Sequence, residues 1–267
     1  MSQNRVANEI THGRHLAAGV PEELWGWGTP AGRVRARRRA ALILEHARVE
    51  PTSRILEVGC GSGLFTELFA ESGAEIVALD VSPELLALAR KRGLPPQRVR
   101  FVEQRLEEFD QEADFDAVIG SSVLHHLDLV PALRRAFALL APGGRLSFAE
   151  PNMLNPQVFA ERKFRRWFPD VSPDETAFVR PRLRRQLLEA GFESVDIEPF
   201  DWLHPSVPES WIAVVSRIGG LLERTWGLRE FAGSLRIAAR RPRPAAGSED
   251  ATRPAGGDKR IDEHAPR

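Results

Sequence analysis

The sequence predicts an α/β protein: a mostly parallel sheet with helices on both faces and insertions at one end. Two observations carry that prediction. Short apolar, β-rich runs alternate with longer segments of helical periodicity, the pattern of parallel strands joined by crossover helices. The first run ends in glycines at every second position, Gly59, Gly61 and Gly63, and the second ends in an acid, Asp80, about 20 residues further on.

In chain order, "RILEVG" (54–59), "EIVALD" (75–80), "RVRFVE" (98–103), "FDAVIG" (115–120) and "GRLSFAE" (144–150) read as strands one to five. Between them, "LFTELFAESG", "SPELLALARKRG" and "VPALRRAFALLAPGG" read as helices. Ser82-Pro83-Glu84 is a helix start, and Pro142-Gly143-Gly144 a stop and turn. "RPRLRRQLLEAGF" (180–192) is an amphipathic helix, followed by the strands "SVDIEPF" (194–200) and "SLRIAAR" (234–240). The Pro-, Gly- and charge-rich tail over 242–267 is expected to be disordered. The domain proper spans 33–241. Residues 1–32, 151–178 and 200–232 stand outside the alternation. Ligands of open α/β sheets bind beyond the carboxyl ends of the strands, so these three segments are expected to form a lid there.

Composition narrows the function classes. The formal net charge is zero over 267 residues, so no global field draws the chain to nucleic acid or to an anionic surface, and no nucleic-acid partner is expected. The chain has no tyrosine, which removes one general acid/base. A single cysteine, Cys60, excludes an internal disulfide and fits a reducing compartment. The amino-terminal stretch lacks the apolar centre of a signal peptide, and no run approaches about 18 apolar residues, so a cytoplasmic protein is expected. Composition leaves the oligomeric state open.

A strand ending Glu57-Val58-Gly59, a turn, and a helix from about Gly63 set bare backbone beside a ligand at a helix amino terminus. Asp80, at the end of the next strand, is placed to take both hydroxyls of a ribose, so the ligand is a nucleoside-containing cofactor. A dinucleotide loop needs G-x-G-x-x-G or A, and here Leu64 stands at the last position, against a nicotinamide-dependent oxidoreductase. The spacing is E-x-G-x-G-x-G.

That spacing resembles motif I of the class I S-adenosylmethionine-dependent methyltransferases. The resemblance continues through "LDVS" (79–82), "FDAVIGSSVLHHL" (115–127) and "LAPGGRLSFAEPN" (140–152). It implies a three-layer Rossmann-like methyltransferase fold with a seven-stranded sheet, and S-adenosyl-L-methionine as cofactor. Gly59, Cys60, Gly61 and Gly63 match the loop beneath the cofactor. Glu57 matches the acid near its amino group, Asp80 the ribose acid and Val81 the residue packing on adenine. Ser121 matches the methionine end. Relatives often carry a small residue and an acid after the third strand. This chain has Arg105-Leu106 there, so Leu106 keeps a backbone N–H for adenine and Glu107 is the nearest carboxylate.

Methyl transfer from a sulfonium depends chiefly on alignment and exclusion of water, and needs a general base only when the acceptor is protonated. His125 and His126 are the candidate bases, because imidazole titrates near neutral pH. A structural role for either stays open. No metal site is expected, since adjacent histidines rarely face one ion and no carboxylate or cysteine is matched to them in spacing. Glu150 and Asn152, ending the fifth strand, are candidate substrate contacts, with a loop cap and a satisfied turn as their alternatives.

The insertions are rich in aromatics: Trp25 and Trp27, then Phe164, Trp167 and Phe168, then Trp202, His204 and Trp211. They suggest an apolar pocket, with Trp25 and Trp27 as acceptor contacts, or anchors that fasten the insertions to the sheet. The 212–222 stretch can line a channel for a greasy acceptor or touch a membrane surface. Arg33, Arg35, Arg37, Arg38 and Arg39 spread around a helix, which reads as a solvated face with one arginine near the cofactor carboxylate. The leading expectation is a methyltransferase acting on a small, fairly apolar acceptor at oxygen or carbon. The alternatives are a nicotinamide-dependent oxidoreductase and a non-catalytic protein that binds a nucleoside cofactor.

Overall fold

The computed structural model describes residues 3–110, 113–167 and 176–244. Phe168 and the tail beyond 244 lie outside them. Seven strands, β1 (Arg54–Val58), β2 (Glu75–Asp80), β3 (Val99–Glu103), β4 (Phe115–Ser121), β5 (Leu140–Pro151), β6 (Glu193–Phe200) and β7 (Ser234–Arg240), form one sheet. Its order is β3-β2-β1-β4-β5-β7-β6. Strands β1 to β5 pair in parallel, and β7 runs antiparallel to both β5 and β6. The order reverses between β1 and β4, which opens a crevice at their carboxyl ends.

The period of two along the strands sorts the core into two faces. Leu56, Val58, Val77 and Leu79 point to one side and pack with Leu133 and Ala136 of helix α6 (Leu129–Leu139) and Leu183 and Leu187 of α8 (Arg180–Glu189). Ile55, Ile76 and Ala78 point to the other. There they meet Ala40 and Ile43 of α3 (Pro30–Ala47), Phe69 of α4 (Leu64–Ala70) and Leu86 of α5 (Pro83–Arg90). Strands buried on both faces are what helices on both sides require.

Helix starts follow local chemistry. The Ser82 hydroxyl accepts from Leu85 N–H with Pro83 at the first position, as its sequence predicts. Thr29 caps α3 in the same way, accepting from Gly32 N–H with Pro30 next. The expected boundary between residues 32 and 33 therefore falls inside α3. Helix α6 ends at Leu139, just before Pro142-Gly143-Gly144, and the turn there lies inside β5. Leu140 already pairs with Phe115, and a register shift between Phe115 and Ala117 absorbs the turn within β5.

The amino-terminal segment folds as α1 (Gln3–Ala17) and α2 (Pro21–Leu24) and lies over the crevice. The second insertion contains α7 (Pro156–Lys163), and the third contains α9 (Ile212–Arg224). Among the described residues no helix is long and apolar enough to cross a membrane.

Candidate active site

A cavity of about 330 Å³ opens at the carboxyl ends of β1, β2 and β4, with the glycine loop on its wall. The three glycines serve three different constraints. All have positive φ, 67°, 54° and 80° for Gly59, Gly61 and Gly63. A Cβ on Gly59 collides with the Val123 side chain, and one on Gly63 falls 2.9 Å from Ala89 of α5. One on Gly61 meets the Trp25 ring at 3.3 Å across the cavity. The loop is thus packed against Val123 and Ala89 and faces the Trp25 ring on its cavity side.

Asp80 holds that loop in shape. Its Oδ2 accepts from Gly61 N–H at 2.7 Å and its Oδ1 from Ser82 N–H at 2.9 Å, while burial pushes its pKa up. Cys60, Val81, Leu106 and Ser121 join Asp80, Gly59 and Gly61 on the wall, while Gly63 sits behind it against α5. Glu57 does not. It shares the parity of Ile55, so its side chain runs into the core beside Thr66 of α4, and burial pushes its carboxyl up to about 8. Burial, with Asp80 and Glu57 nearby, also pushes the Cys60 thiol up.

Both histidines face the cavity from the 3₁₀ turn Leu124–His126, and each meets a carboxylate. His125 Nδ1 lies 2.7 Å from Glu150 Oε2, and His126 Nδ1 lies 3.1 Å from Glu9 of α1. Glu150 is fully buried and does not reach the cavity wall, because its other oxygen accepts from Val123 and Leu124 N–H, both at 2.9 Å. Asn152 is likewise turned away: its amide donates to the Glu230 and Ala232 carbonyls, both at 2.8 Å, and its oxygen accepts from Leu154 N–H. The two expected substrate contacts are instead the caps that close the end of β5.

Trp25 and Trp27 do line the cavity. Trp27 stands edge-on to Phe65, with ring centroids 5.4 Å apart. The segment is latched to the glycine loop by Glu22, which accepts from the Ser62 hydroxyl at 2.6 Å and pairs with Arg92. Four further residues, Glu9, His12, Gly13 and Leu16, line the cavity from α1. Their i, i+3, i+4, i+7 spacing on α1 is the signal that marks one helix face. Gly13 lets α1 pack closely, since a Cβ there falls 2.5 Å from the Ser82 hydroxyl.

The other insertions divide. Arg162 of α7 reaches the cavity. No described residue of 200–232 does; that insertion braces the roof from outside, with the Pro205 carbonyl accepting from the Thr29 hydroxyl at 2.8 Å. Phe164 and Trp167 stack on each other in solvent, and Trp211 is exposed.

The arginine run is not one solvated face. Arg39 is buried behind the cavity wall, donating to the Ser122 hydroxyl at 2.9 Å and to the Ala149 carbonyl at 3.2 Å. Asp201 lies 3.8 Å away and takes a forked pair of hydrogen bonds from Arg35. Burial lowers the Arg39 pKa to about 10 against the pull of Asp201.

Comparison with known proteins identifies the chain. A family model described as "Methyltransferase domain" matches residues 56–146. The chain is 33% identical over 193 residues to the ubiquinone biosynthesis O-methyltransferase of Xanthomonas axonopodis pv. citri, covering 67% of this chain and 80% of that one. The chain belongs to the class I S-adenosylmethionine-dependent methyltransferases. This methyltransferase is also 31% identical over 148 residues to nodulation protein S of Rhizobium tropici, 54% of this chain and 60% of that one. Its fold matches the N-methyltransferase NodS of Bradyrhizobium japonicum, solved with S-adenosyl-l-homocysteine, at a TM-score of 0.59 and 20% identity, covering 88% of this chain and 99% of that one. The methyltransferase uses S-adenosylmethionine as cofactor, and the nicotinamide-dependent alternative is set aside.

Proposed function

We propose that this methyltransferase acts on a hydroxyl of a small, largely apolar acceptor, with His126 as general base. The observation that carries the reading is the pair of carboxylate-oriented imidazoles in a cavity whose apolar lining includes Trp25, Trp27, Phe65 and Leu106. The O-methyltransferase named among the relatives favours oxygen over nitrogen or carbon.

The residues present fit the cofactor. The cavity side of Gly61 is clear of any side chain of its own, and Asp80 stands beside it with its carboxylate already held by two backbone N–H groups. In this reading the glycine loop and Asp80 bind the methionine and ribose portions, Val81 and Leu106 the adenine, and Ser121 the methionine end. Bound S-adenosylmethionine supplies an electrophilic methyl on a sulfonium. The protein aligns the acceptor and excludes water beneath α1 and Trp25, and alignment of this kind supplies much of the acceleration. His126 takes the acceptor's hydroxyl proton. Glu57, buried behind the loop, supports it from the core.

The test is turnover on catechol and on catechols carrying alkyl chains of increasing length. A rise in kcat/KM with chain length supports the apolar pocket. Equal or higher turnover on charged, polar acceptors refutes it.

A further inference from the structure

The two histidines sit in matched settings of different origin. The carboxylate of His125 is Glu150, locked inside the sheet by the Val123 and Leu124 N–H groups. The carboxylate of His126 is Glu9, which is 117 residues away in sequence and arrives on the roof helix α1. The two rings are 4.2 Å apart, so they share one environment and differ chiefly in which part of the chain orients them.

Helix α1 is seated by contacts independent of His126. Gly13 lies directly on Ser82, and Arg14 pairs with Glu84 at 2.7 Å. Glu9 stands one turn before Gly13 on the same face, so this docking sets where the Glu9 carboxylate meets His126. A neutral imidazole carries its proton on either nitrogen, and the partner of one nitrogen decides which. A carboxylate at Nδ1 keeps the proton there and leaves Nε2 as the basic atom.

We propose that Glu9 is a positioning residue for His126, so that the general base is competent only when α1 is docked over the cavity. The inference rests on the reading of His126 as the base. In the chemical step the acceptor's hydroxyl proton passes to Nε2, the imidazolium is stabilised by the Glu9 carboxylate, and the proton then leaves to water. The other titratable groups facing this cavity are His12, Cys60, Asp80, Arg105, Glu107 and Arg162, with His125 in ring contact.

The test needs no acceptor. Long-range ¹H–¹⁵N spectra of the histidine rings are recorded for the full chain saturated with S-adenosylhomocysteine. In the wild type His126 is protonated at Nδ1 when neutral. In Glu9→Gln the Nδ1 preference weakens and the His126 pKa falls by about one unit, the loss of one nearby opposite charge. The His125 signals and the melting temperature, unchanged, exclude a general loss of structure. An unchanged His126 tautomer and titration in Glu9→Gln overturns the inference. The base reading is decided separately by His126→Ala turnover with catechol as the probe acceptor: undiminished turnover refutes that reading, whatever the spectra show of Glu9.

Discussion

Asp80 Oδ2 accepts the Gly61 N–H at 2.7 Å, which ties the acid ending β2 to the middle glycine of the loop after β1. The contact gives Asp80 two tasks, shaping the loop and presenting a carboxylate to the ribose. Asp80→Ala is therefore expected to weaken S-adenosylhomocysteine binding by about 1–3 kcal/mol, roughly 5- to 150-fold in Kd, the cost of losing charge-assisted hydrogen bonds. Titration calorimetry measures it. Unchanged affinity refutes the assignment.

Glu150 offers a contrast. It serves three groups while fully buried, so Glu150→Ala strands the Val123 and Leu124 N–H groups and removes the carboxylate at His125 Nδ1. A loss of about 3–5 kcal/mol in unfolding free energy is expected. Glu150→Gln keeps one acceptor oxygen and loses less. Denaturant titration ranks the two variants, and a substrate-contact role predicts the reverse: normal stability with impaired turnover.

Burial also separates the arginines of α3. Removing the shared partner in Asp201→Ala takes the ion-pair partner from buried Arg39 and from Arg35, at a cost of about 3–5 kcal/mol. Arg37 faces Glu71 at 3.7 Å with both side chains mostly in solvent, so Arg37→Ala changes stability by well under 1 kcal/mol. Thermal unfolding of the two variants side by side tests the contrast.

Glu57 makes a prediction about pH. Its folded-state pKa, pushed up to about 8 by burial, lies above the ordinary value of 4.5. Between those values the folded chain binds a proton that the unfolded chain has released, so this group makes stability fall as pH rises through the window. The slope is at most about 1.4 kcal/mol per pH unit. Glu57→Gln should flatten the decline in stability from pH 5 to 8. Identical pH profiles for variant and wild type would show that Glu57 is ionised in the folded state.

The sheet was legible because its strands are bounded by residues with one local meaning. Glu75–Asp80 and Ser234–Arg240 begin and end where their sequences do. Helix α1 was not, for a physical reason. A helix that covers a cavity with Glu9, His12 and Gly13 shows no continuous apolar period, since the face it presents is polar by function. The arginines posed a different difficulty. Arg37 and Arg39 are alike to any local rule, and only the distant Asp201 distinguishes the buried one. Glu150 and Asn152 were found as polar groups near the site, but the direction of their side chains depends on partners in the turn after β4 and in the chain before β7.

The buried guanidinium of Arg39 also bears on the order in which the molecule can be completed. Arg39 is made early, yet it hydrogen-bonds Ser234, 195 residues later, and its neighbour Arg35 waits 166 residues for Asp201. During synthesis the glycine loop and both histidines emerge long before those partners. Until β7 slides between β5 and β6, the buried Arg39 guanidinium lacks the Ser234 hydroxyl among its partners. A nascent chain stopped short of residue 234 carries every cofactor contact assigned above and lacks one hydrogen-bond partner of Arg39. The last strand laid down thus supplies a partner to a guanidinium made near the start of the chain.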